Sequence, residues 1–293
     1  EEMGVKIVLD TKVENVEASM KEGGFDAAFL AVGAHTANDL EIPITGEMPV
    51  IEGITVLRNL ELDQPTQLQG QVVIYGGGNT AMDVARTAVR LSGFEPKVIV
   101  RRDRDRMAAH AFEVDEALLE KVELLNLRTI KQVDGRTITL EKMVAGKDGR
   151  PQVTGQQETI EGDVLVLALG QDVDFGLLDG CPEVNIIEGA VLVDPEMMTD
   201  RPGIFAGGDM VPSERTVTTA IGHGKKAARN INAYLRQETY APAEEREIAS
   251  ENLLNTWYYS DADRTVQPTL EIIRRQTGFA EVVGDLDESN ALF

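Results

Sequence analysis

The chain is poor in the residues that form disulfides and metal sites. Its 293 residues contain one cysteine, Cys181, and three histidines that lie far apart. It can therefore form no internal disulfide, and it lacks the ligand sets that iron–sulfur clusters and structural zinc ions need. Apolar runs stay below the roughly 20 residues of a membrane-spanning helix, and no signal-peptide pattern is present. We expect a cytoplasmic protein with no metal site and no membrane insertion.

Basic residues are also scarce. The chain has 28 lysines and arginines against 50 acids, which gives a formal net charge of −22 at pH 7. A field of this sign repels phosphate backbones and anionic lipid, so we expect no nucleic acid as a main partner. Hydrophobic residues make up 42% of the chain and charged residues 27%. This is the mix of an ordinary globular protein, and the length fits two domains.

The two ends of the sequence are unusual for a whole protein. The first residue is Glu1, and a β-branched run at residues 5–9 predicts a strand almost directly after it. The last two residues, Leu292 and Phe293, are apolar. We therefore expect the sequence to be an excerpt of a longer chain.

Two segments repeat one pattern, an acid followed by an apolar run and a glycine. Residues 25–33 end at Gly33, and residues 162–170 end at Gly170. Continuous apolar runs of this length are typical of strands buried on both faces of a parallel sheet. A terminal glycine lets the backbone approach a ligand at the carboxyl edge of the sheet. One copy alone predicts only a core strand, whereas two copies indicate two related nucleotide-binding units.

A βαβ unit lies between the two copies. We predict a strand at 71–75, a helix at 79–91 with apolar residues at helical spacing, and a second strand at 97–100. The other predicted elements are a helix at 113–122, a hairpin at 137–149, strands at 190–193 and 203–206, and a helix at 216–235.

The turn that opens the helix at 79–91 has the pattern G-x-G-x-x-A. In such a turn the first glycine permits a tight bend, the second lets a pyrophosphate approach the backbone, and the alanine permits close helix–strand packing. The helix N-terminus adds N–H groups and a partial positive charge. A plain tight turn is the alternative reading. The flanking strands favour dinucleotide binding, and the candidate residues are Gly76, Gly78, Asn79, Thr80 and Ala81.

The end of the second strand distinguishes between dinucleotides. A site for NAD(H) usually has Asp or Glu there to accept a hydrogen bond from the ribose 2′-hydroxyl. This chain has Arg101 and Arg102, with Arg104 and Arg106 close behind. Arginine forks match a 2′-phosphate, although a solvated loop paired with neighbouring aspartates is the alternative. We predict NADP(H) bound by Arg101, Arg102 and Arg106, and we leave NAD(H) open.

A third motif follows the predicted strand at 203–206 and contains Gly208 and Asp209. A carboxylate at a sheet edge can accept a hydrogen bond from a sugar or ribityl hydroxyl. The helix that begins near Thr216 would direct its positive end at an electron-rich group such as the flavin N1–C2 edge. Gly-Gly-Asp is also an ordinary turn. In the same helix, we expect His223 to pack or cap rather than to catalyse.

These motifs resemble the pyridine nucleotide-dependent flavoproteins with two dinucleotide-binding domains, and within them the glutamate synthase small-subunit group. The resemblance covers about residues 1–236 and rests on residues 73–83, 100–110, 203–209 and 215–217. It implies an α/β fold with two Rossmann-like domains. An NADP(H) domain at 34–170 would be inserted into a partial FAD domain at 1–33 and 171–240, followed by an acidic C-terminal extension at 241–293.

The resemblance also implies roles for single residues. Gly33 and Gly170 would mark the crossovers between domains, and Gly208, Asp209, Thr216 and Val217 would contact FAD. The family's first glycine-rich turn, which seats the FAD pyrophosphate, is absent from these 293 residues. We therefore expect this chain alone to retain FAD poorly.

The implied activity is hydride transfer between NADP(H) and FAD, with electrons passed on to an iron–sulfur protein or a larger oxidoreductase subunit. A nucleotide-binding structural or regulatory subunit without turnover is the alternative, and homo-oligomerisation is left open. In the acidic tail, Trp257 and Tyr258 either anchor the tail on the FAD domain or form an interface with the iron–sulfur partner.

Overall fold

A computed structural model describes residues 4–37, 42–64, 66, 68–146, 149–241, 248–250, 253 and 265–291. The chain divides into two compact units. The first comprises Glu1–Thr36 and Gln171–Leu254, and the second comprises Ala37–Gly170 and Asn255–Phe293. The second unit thus interrupts the first along the chain. Helices combine with parallel sheets, so the predicted α/β class is confirmed.

The helices are α1 (Val16–Gly23), α2 (Gly53–Glu61), α3 (Asn79–Ser92), α4 (Ala111–Leu119), α5 (Val217–Leu235), α6 (Ile272–Thr277) and α7 (Glu288–Ala291). The strands are β1 (Ala28–Leu30), β2 (Thr36–Ala37), β3 (Ile44–Thr45), β4 (Val50–Glu52), β5 (Val72–Tyr75), β6 (Lys97–Val100), β7 (Glu123–Asn126), β8 (Arg128–Asp134), β9 (Thr137–Ala145), β10 (Pro151–Glu161), β11 (Val164–Leu167), β12 (Gln171–Asp172), β13 (Ile186–Ile187), β14 (Ala190–Val191) and β15 (Ile204–Ala206). Within the described residues, no helix combines the length and the apolarity needed to cross a membrane.

The centre of the second unit is a parallel sheet with the strand order β4-β11-β5-β6-β7. Successive side chains of a strand point to opposite faces of the sheet. On one face, Ile74 and Val98 pack with apolar residues of α2, α3 and α4. On the other face, Val73 and Ile99 pack against Leu140 and other residues of a second sheet, of order β10-β9-β8-β3. Both faces are buried, which explains the continuous apolar runs of these strands.

The first unit is built on a parallel pair of strands from distant parts of the chain. In β1 and β15, Ala28 lies opposite Ile204 and Leu30 lies opposite Ala206. Around this pair a core forms from the segments 16–34 and 173–227. Parallel strands share one carboxyl edge, so Gly33 and Gly208 follow the ends of adjacent strands. This is the edge at which α/β proteins bind ligands.

The structure corrects two elements. The strand predicted at residues 5–9 is wrong: no strand is present there, its apolar side chains are 59–76% exposed, and it pairs with none of the described strands. The helix predicted at 113–122 runs instead over Ala111–Leu119, because Lys121 adopts a left-handed backbone conformation. Trp257 and Tyr258 lie outside the described residues.

The described part of the tail belongs to the second unit, where it packs on α3 and α4. Arg275 of α6 is 5% exposed, and its Nη1 donates to Glu116 Oε2 of α4 at 2.8 Å. From α3, Arg90 Nε donates to the Gly278 carbonyl at 3.1 Å. The tail therefore covers the helical layer of the parallel sheet through buried charges.

A buried carboxylate lies at the centre of these charges. The Glu120 side chain is fully buried, and its oxygens lie 2.7 Å from Arg86 Nη2 and 2.9 Å from Arg90 Nη1. Burial alone raises the pKa of Glu120, but hydrogen bonds from both guanidinium groups outweigh it and the pKa is lowered. Glu120 thus remains charged at neutral pH and ties the two arginines of α3 to α4.

Lys121 offers a test of backbone conformation. It follows the end of α4 with φ +72, and its N–H donates to the Leu118 carbonyl at 3.1 Å. Glycine occupies such a position without steric cost. We expect Lys121→Gly to raise the free energy of unfolding by about 0.5–1 kcal/mol in urea denaturation.

The control is Lys225→Gly, an exposed position in the regular helix α5. Glycine should lower stability there by about 1 kcal/mol. A Lys121→Gly protein that is as destabilised as the control would contradict the conformational explanation.

Candidate functional site

A cavity of about 290 Å³ lies at the carboxyl ends of the neighbouring strands β11, β5 and β6. Six of the predicted site residues line it together: Gly76, Gly78, Thr80, Arg101, Arg102 and Gly170. The remaining lining residues were not predicted as site residues: Tyr75, Gly77, Ile99, Val100, Met107, Ala108, Ala168 and Leu169. Most of these are apolar residues at the ends of the strands, for which the sequence analysis predicted no role as ligands.

The glycines of the turn after β5 differ in what surrounds them. Gly76 has φ +155, and a Cβ there would lie 2.1 Å from the Ala168 carbonyl oxygen. A Cβ on Gly77 would lie 2.8 Å from Val100 Cγ1. At Gly78 no atom lies within 4 Å of the Cβ position. The first two glycines are required by packing, whereas the third keeps space open at the cavity.

The N-terminus of α3 faces this turn without a capping side chain. Its N-cap residue is Gly78, which has no side chain to accept hydrogen bonds from the first N–H groups of the helix. The Asn79 Oδ1 accepts a hydrogen bond from the His110 N–H at 2.9 Å, and the Ala109 N–H donates to the Gly77 carbonyl at 2.9 Å. Asn79 therefore ties the segment after the arginines to the turn instead of lining the cavity.

The remaining members of the predicted dinucleotide site lie away from the cavity. Ala81 is fully buried beneath the turn, where it permits the close approach of α3 to the sheet. Arg106 Nε lies 3.8 Å from Asp103 Oδ2, and Arg106 lines a separate cavity of about 10 Å³. Arg104 pairs with Asp115. Of the four arginines, Arg101 and Arg102 are the two at the main cavity.

Two polar residues that follow the arginines, His110 and Glu113, have structural contacts. His110 is the N-cap residue of α4, and its ring stacks on Phe112 with centroids 5.8 Å apart. Glu113 Oε2 lies 3.4 Å from Arg86 Nη1. Neither is among the residues that line the 290 Å³ cavity.

The first unit has its own cavity, of about 600 Å³, beside Gly33. Gly33 has φ +70, and a Cβ there would lie 3.0 Å from His35 Nε2. The other lining residues are Thr11, Lys12, Val13, Glu14, Val32, Asp174, Gly176, Leu177 and Asp179. The cavity thus lies where β1 ends, at the edge expected for a ligand.

The remaining predicted residues lie after β15. Gly208 begins a short 3₁₀ turn, Gly208–Met210, with φ +69, and Asp209 is its second residue. Thr216 is the N-cap of α5, where its hydroxyl oxygen accepts from the Thr219 N–H at 3.1 Å. Val217 is 77% exposed. Gly208 and Asp209 directly follow β15 and so lie at the carboxyl edge that this strand shares with β1.

Comparison with known proteins identifies the family. Residues 1–224 match the family described as pyridine nucleotide-disulphide oxidoreductase. The chain belongs to this family. It is 34% identical, over 97% of its length, to 44% of the NADP(+)-dependent formate dehydrogenase subunit beta of Moorella thermoacetica. It is 31% identical, over 74% of its length, to 50% of the glutamate synthase [NADPH] small chain of Azospirillum brasilense. The chain spans about half the length of these relatives.

Solved structures show the same fold. FprA of Mycobacterium tuberculosis in complex with NADPH superposes with a TM-score of 0.60 at 17% identity, over 79% of this chain and 70% of that one. Thioredoxin reductase of Lactococcus lactis gives a TM-score of 0.57 at 21% identity, over 72% and 66%. Family membership confirms the predicted class, a pyridine nucleotide-dependent oxidoreductase, and the solved structures confirm the predicted fold.

Gly78 provides a test of the predicted dinucleotide site that leaves the fold intact. A methyl group fits there without a contact, so Gly78→Ala should lower stability by no more than the roughly 1 kcal/mol that alanine costs at an N-cap. The same methyl group occupies the space that a pyrophosphate needs, and we expect NADPH affinity to fall at least tenfold in calorimetric titration. Gly76→Ala is the contrast, because its Cβ meets a carbonyl oxygen at 2.1 Å and should destabilise the unit. Unchanged NADPH binding by Gly78→Ala would place the pyrophosphate elsewhere.

Proposed function

We propose that the chain transfers hydride or electrons between NADP(H) and FAD and passes the electrons on to an iron–sulfur centre or partner subunit. One observation carries the proposal: a single cavity combines the turn at Gly78, an uncapped helix N-terminus and two arginines. These are the groups that a dinucleotide with a 2′-phosphate requires. The second unit would then be the NADP(H) domain.

In this proposal different residues of the second unit bind different parts of the nucleotide. The N–H groups at Gly78, Asn79 and Thr80 bind the pyrophosphate, with the α3 dipole adding to the attraction. Arg101 and Arg102 hold the 2′-phosphate, where their forked donors match its oxygens. Gly170 leaves space at the end of β11 for the remainder of the nucleotide.

The first unit would hold FAD. The 600 Å³ cavity beside Gly33 has the size of a cofactor pocket, and the positive φ at Gly33 and Gly208 brings backbone close to the sheet edge. Asp209 would accept a hydrogen bond from a ribityl hydroxyl. Thr216 and Val217 would face the flavin at the positive end of α5. When bound, the two cofactors supply the hydride chemistry, and the chain supplies binding and orientation.

The electron acceptor lies outside this chain. Its one cysteine cannot hold a cluster. Its relatives are named as subunits, the beta subunit of a formate dehydrogenase and the small chain of glutamate synthase. We infer a partner subunit in the cytoplasm that takes electrons from the flavin.

Anaerobic addition of NADPH to the FAD-loaded protein tests this function. Bleaching of the flavin absorbance at a rate that saturates with NADPH is the expected result, and NADH should be much less effective at equal concentration. A protein that binds both cofactors without bleaching would be a binding module, which contradicts hydride transfer.

A further inference from the structure

His223 of α5 contacts the turn that carries the proposed flavin ligands. The Gly208 N–H donates to His223 Nδ1 at 3.2 Å, across 15 residues of chain. Thr216, Ala220 and His223 lie at helical spacing on one face of α5, and Ala220 Cβ lies 3.8 Å from the Cβ position of Gly208. One face of the helix therefore supports the turn.

The contact defines which ring nitrogen faces the turn. A backbone N–H can only donate, so Nδ1 is the acceptor of this hydrogen bond. His223 is half-buried, and its Cβ would be 2.9 Å from a Cβ on Gly207. A Cβ on Gly207 would also lie 2.9 Å from Cζ of the Phe29 ring. The His223 Cβ is thus packed closely against Gly207, while the ring accepts the hydrogen bond from Gly208.

The amides before Asp209 are fixed from two sides. The Gly207 N–H donates to the Leu30 carbonyl of β1 at 3.0 Å, which continues the strand pairing. The next N–H, of Gly208, turns away to His223, and φ +69 at Gly208 makes that reversal. The Gly208 carbonyl in turn accepts from the Ser213 hydroxyl at 3.3 Å. The direction in which Asp209 leaves the sheet edge therefore depends on His223.

We propose that His223 is a positioning residue for the flavin site, whose Nδ1 holds the Gly208 peptide so that Asp209 faces the cofactor. The inference rests on the proposed function for its cofactor, because Asp209 is taken there as a ribityl ligand. The contact itself is independent of that function. A residue that merely filled space would be replaced equally well by any side chain of similar volume.

Three variants separate positioning from packing. In His223→Asn, Oδ1 occupies nearly the place of Nδ1 and can accept from Gly208. In His223→Gln the acceptor lies one bond further out, and His223→Leu has the bulk without an acceptor. We expect the Gly208 amide to exchange its hydrogen about tenfold faster in the Leu and Gln variants, and at the wild-type rate in the Asn variant.

The second measurement is FAD affinity of the same proteins. We expect the FAD dissociation constant to rise about tenfold for Leu and Gln, with Asn restoring it, and NADPH affinity to remain unchanged in all three. Faster exchange with unchanged FAD affinity would overturn the positioning role, and so would weak FAD binding by the Asn variant. A wild-type protein whose bound flavin is not bleached by NADPH would instead overturn the proposed function, while the exchange rates would still decide the His223–Gly208 contact.

Discussion

Replacement of Arg101 and Arg102 by alanine together should weaken NADPH binding by about 2–3 kcal/mol, roughly 30- to 150-fold in the dissociation constant. Both arginines line the 290 Å³ cavity at the end of β6. Charge-assisted hydrogen bonds to a 2′-phosphate are available to NADPH alone, because NADH carries a hydroxyl there. NADH affinity should therefore change little. Calorimetric titration with each nucleotide measures both constants.

The matched control is Arg104→Ala. Arg104 belongs to the same loop but pairs with Asp115 and does not line the cavity. The Arg104→Ala substitution removes one positive charge but no proposed phosphate ligand. The ratio of NADPH to NADH affinity should therefore stay near the wild-type value. An equal loss for both nucleotides in the double variant would refute the assignment, as would a wild-type preference for NADH.

Removal of a buried arginine from the tail should have the largest effect on stability. We expect Arg275→Ala to lower the free energy of unfolding of the second unit by about 3 kcal/mol. The 5% exposed guanidinium is paired with Glu116 Oε2 and also donates to the Leu270 carbonyl at 2.6 Å. Loss of the Arg275 guanidinium leaves less positive charge to balance the Glu116 carboxylate, which lies in a partly buried cluster. Urea denaturation, followed by circular dichroism, measures the change.

The neighbouring residue gives the control. Arg274 has the same charge but is exposed, so Arg274→Ala should change stability by no more than about 0.5 kcal/mol. Addition of Glu116→Gln to Arg275→Ala should recover part of the loss, because it removes a carboxylate that then has only the longer contact with Arg86 Nη2, at 3.3 Å. Equal stability of the Arg274 and Arg275 variants would show that the tail does not depend on its buried charge.

The sequence predicted the parts of the fold that are buried on both faces. Strands β5, β6 and β11 are short continuous apolar runs because helices cover one face of their sheet and a second sheet covers the other. Strand β8 was missed: its buried residues Ile130 and Val133 are separated by exposed Lys131 and Gln132, and a register shift between Ile130 and Gln132 breaks the alternation. Helix α2 was also missed: it begins at a glycine, and no side chain caps its start at Glu52.

For the candidate site, the sequence predicted the motif but not the direction of each side chain. The spacing of the glycines was enough to locate the turn, since a Cβ at Gly76 cannot be accommodated. Asn79 binds a backbone N–H 31 residues later, and the orientation of Arg106 depends on Asp103. Such contacts arise from tertiary structure, which local patterns do not encode. The local sequence around Arg275 likewise did not indicate that this residue connects the tail to α4.

The most direct test of the account is a crystal structure of the protein with NADP⁺. We predict the pyrophosphate at the N-terminus of α3 beside Gly78, and the 2′-phosphate within hydrogen-bond distance of Arg101 and Arg102. A nucleotide bound with its 2′-phosphate away from both arginines, or bound at another edge of the sheet, would contradict the account.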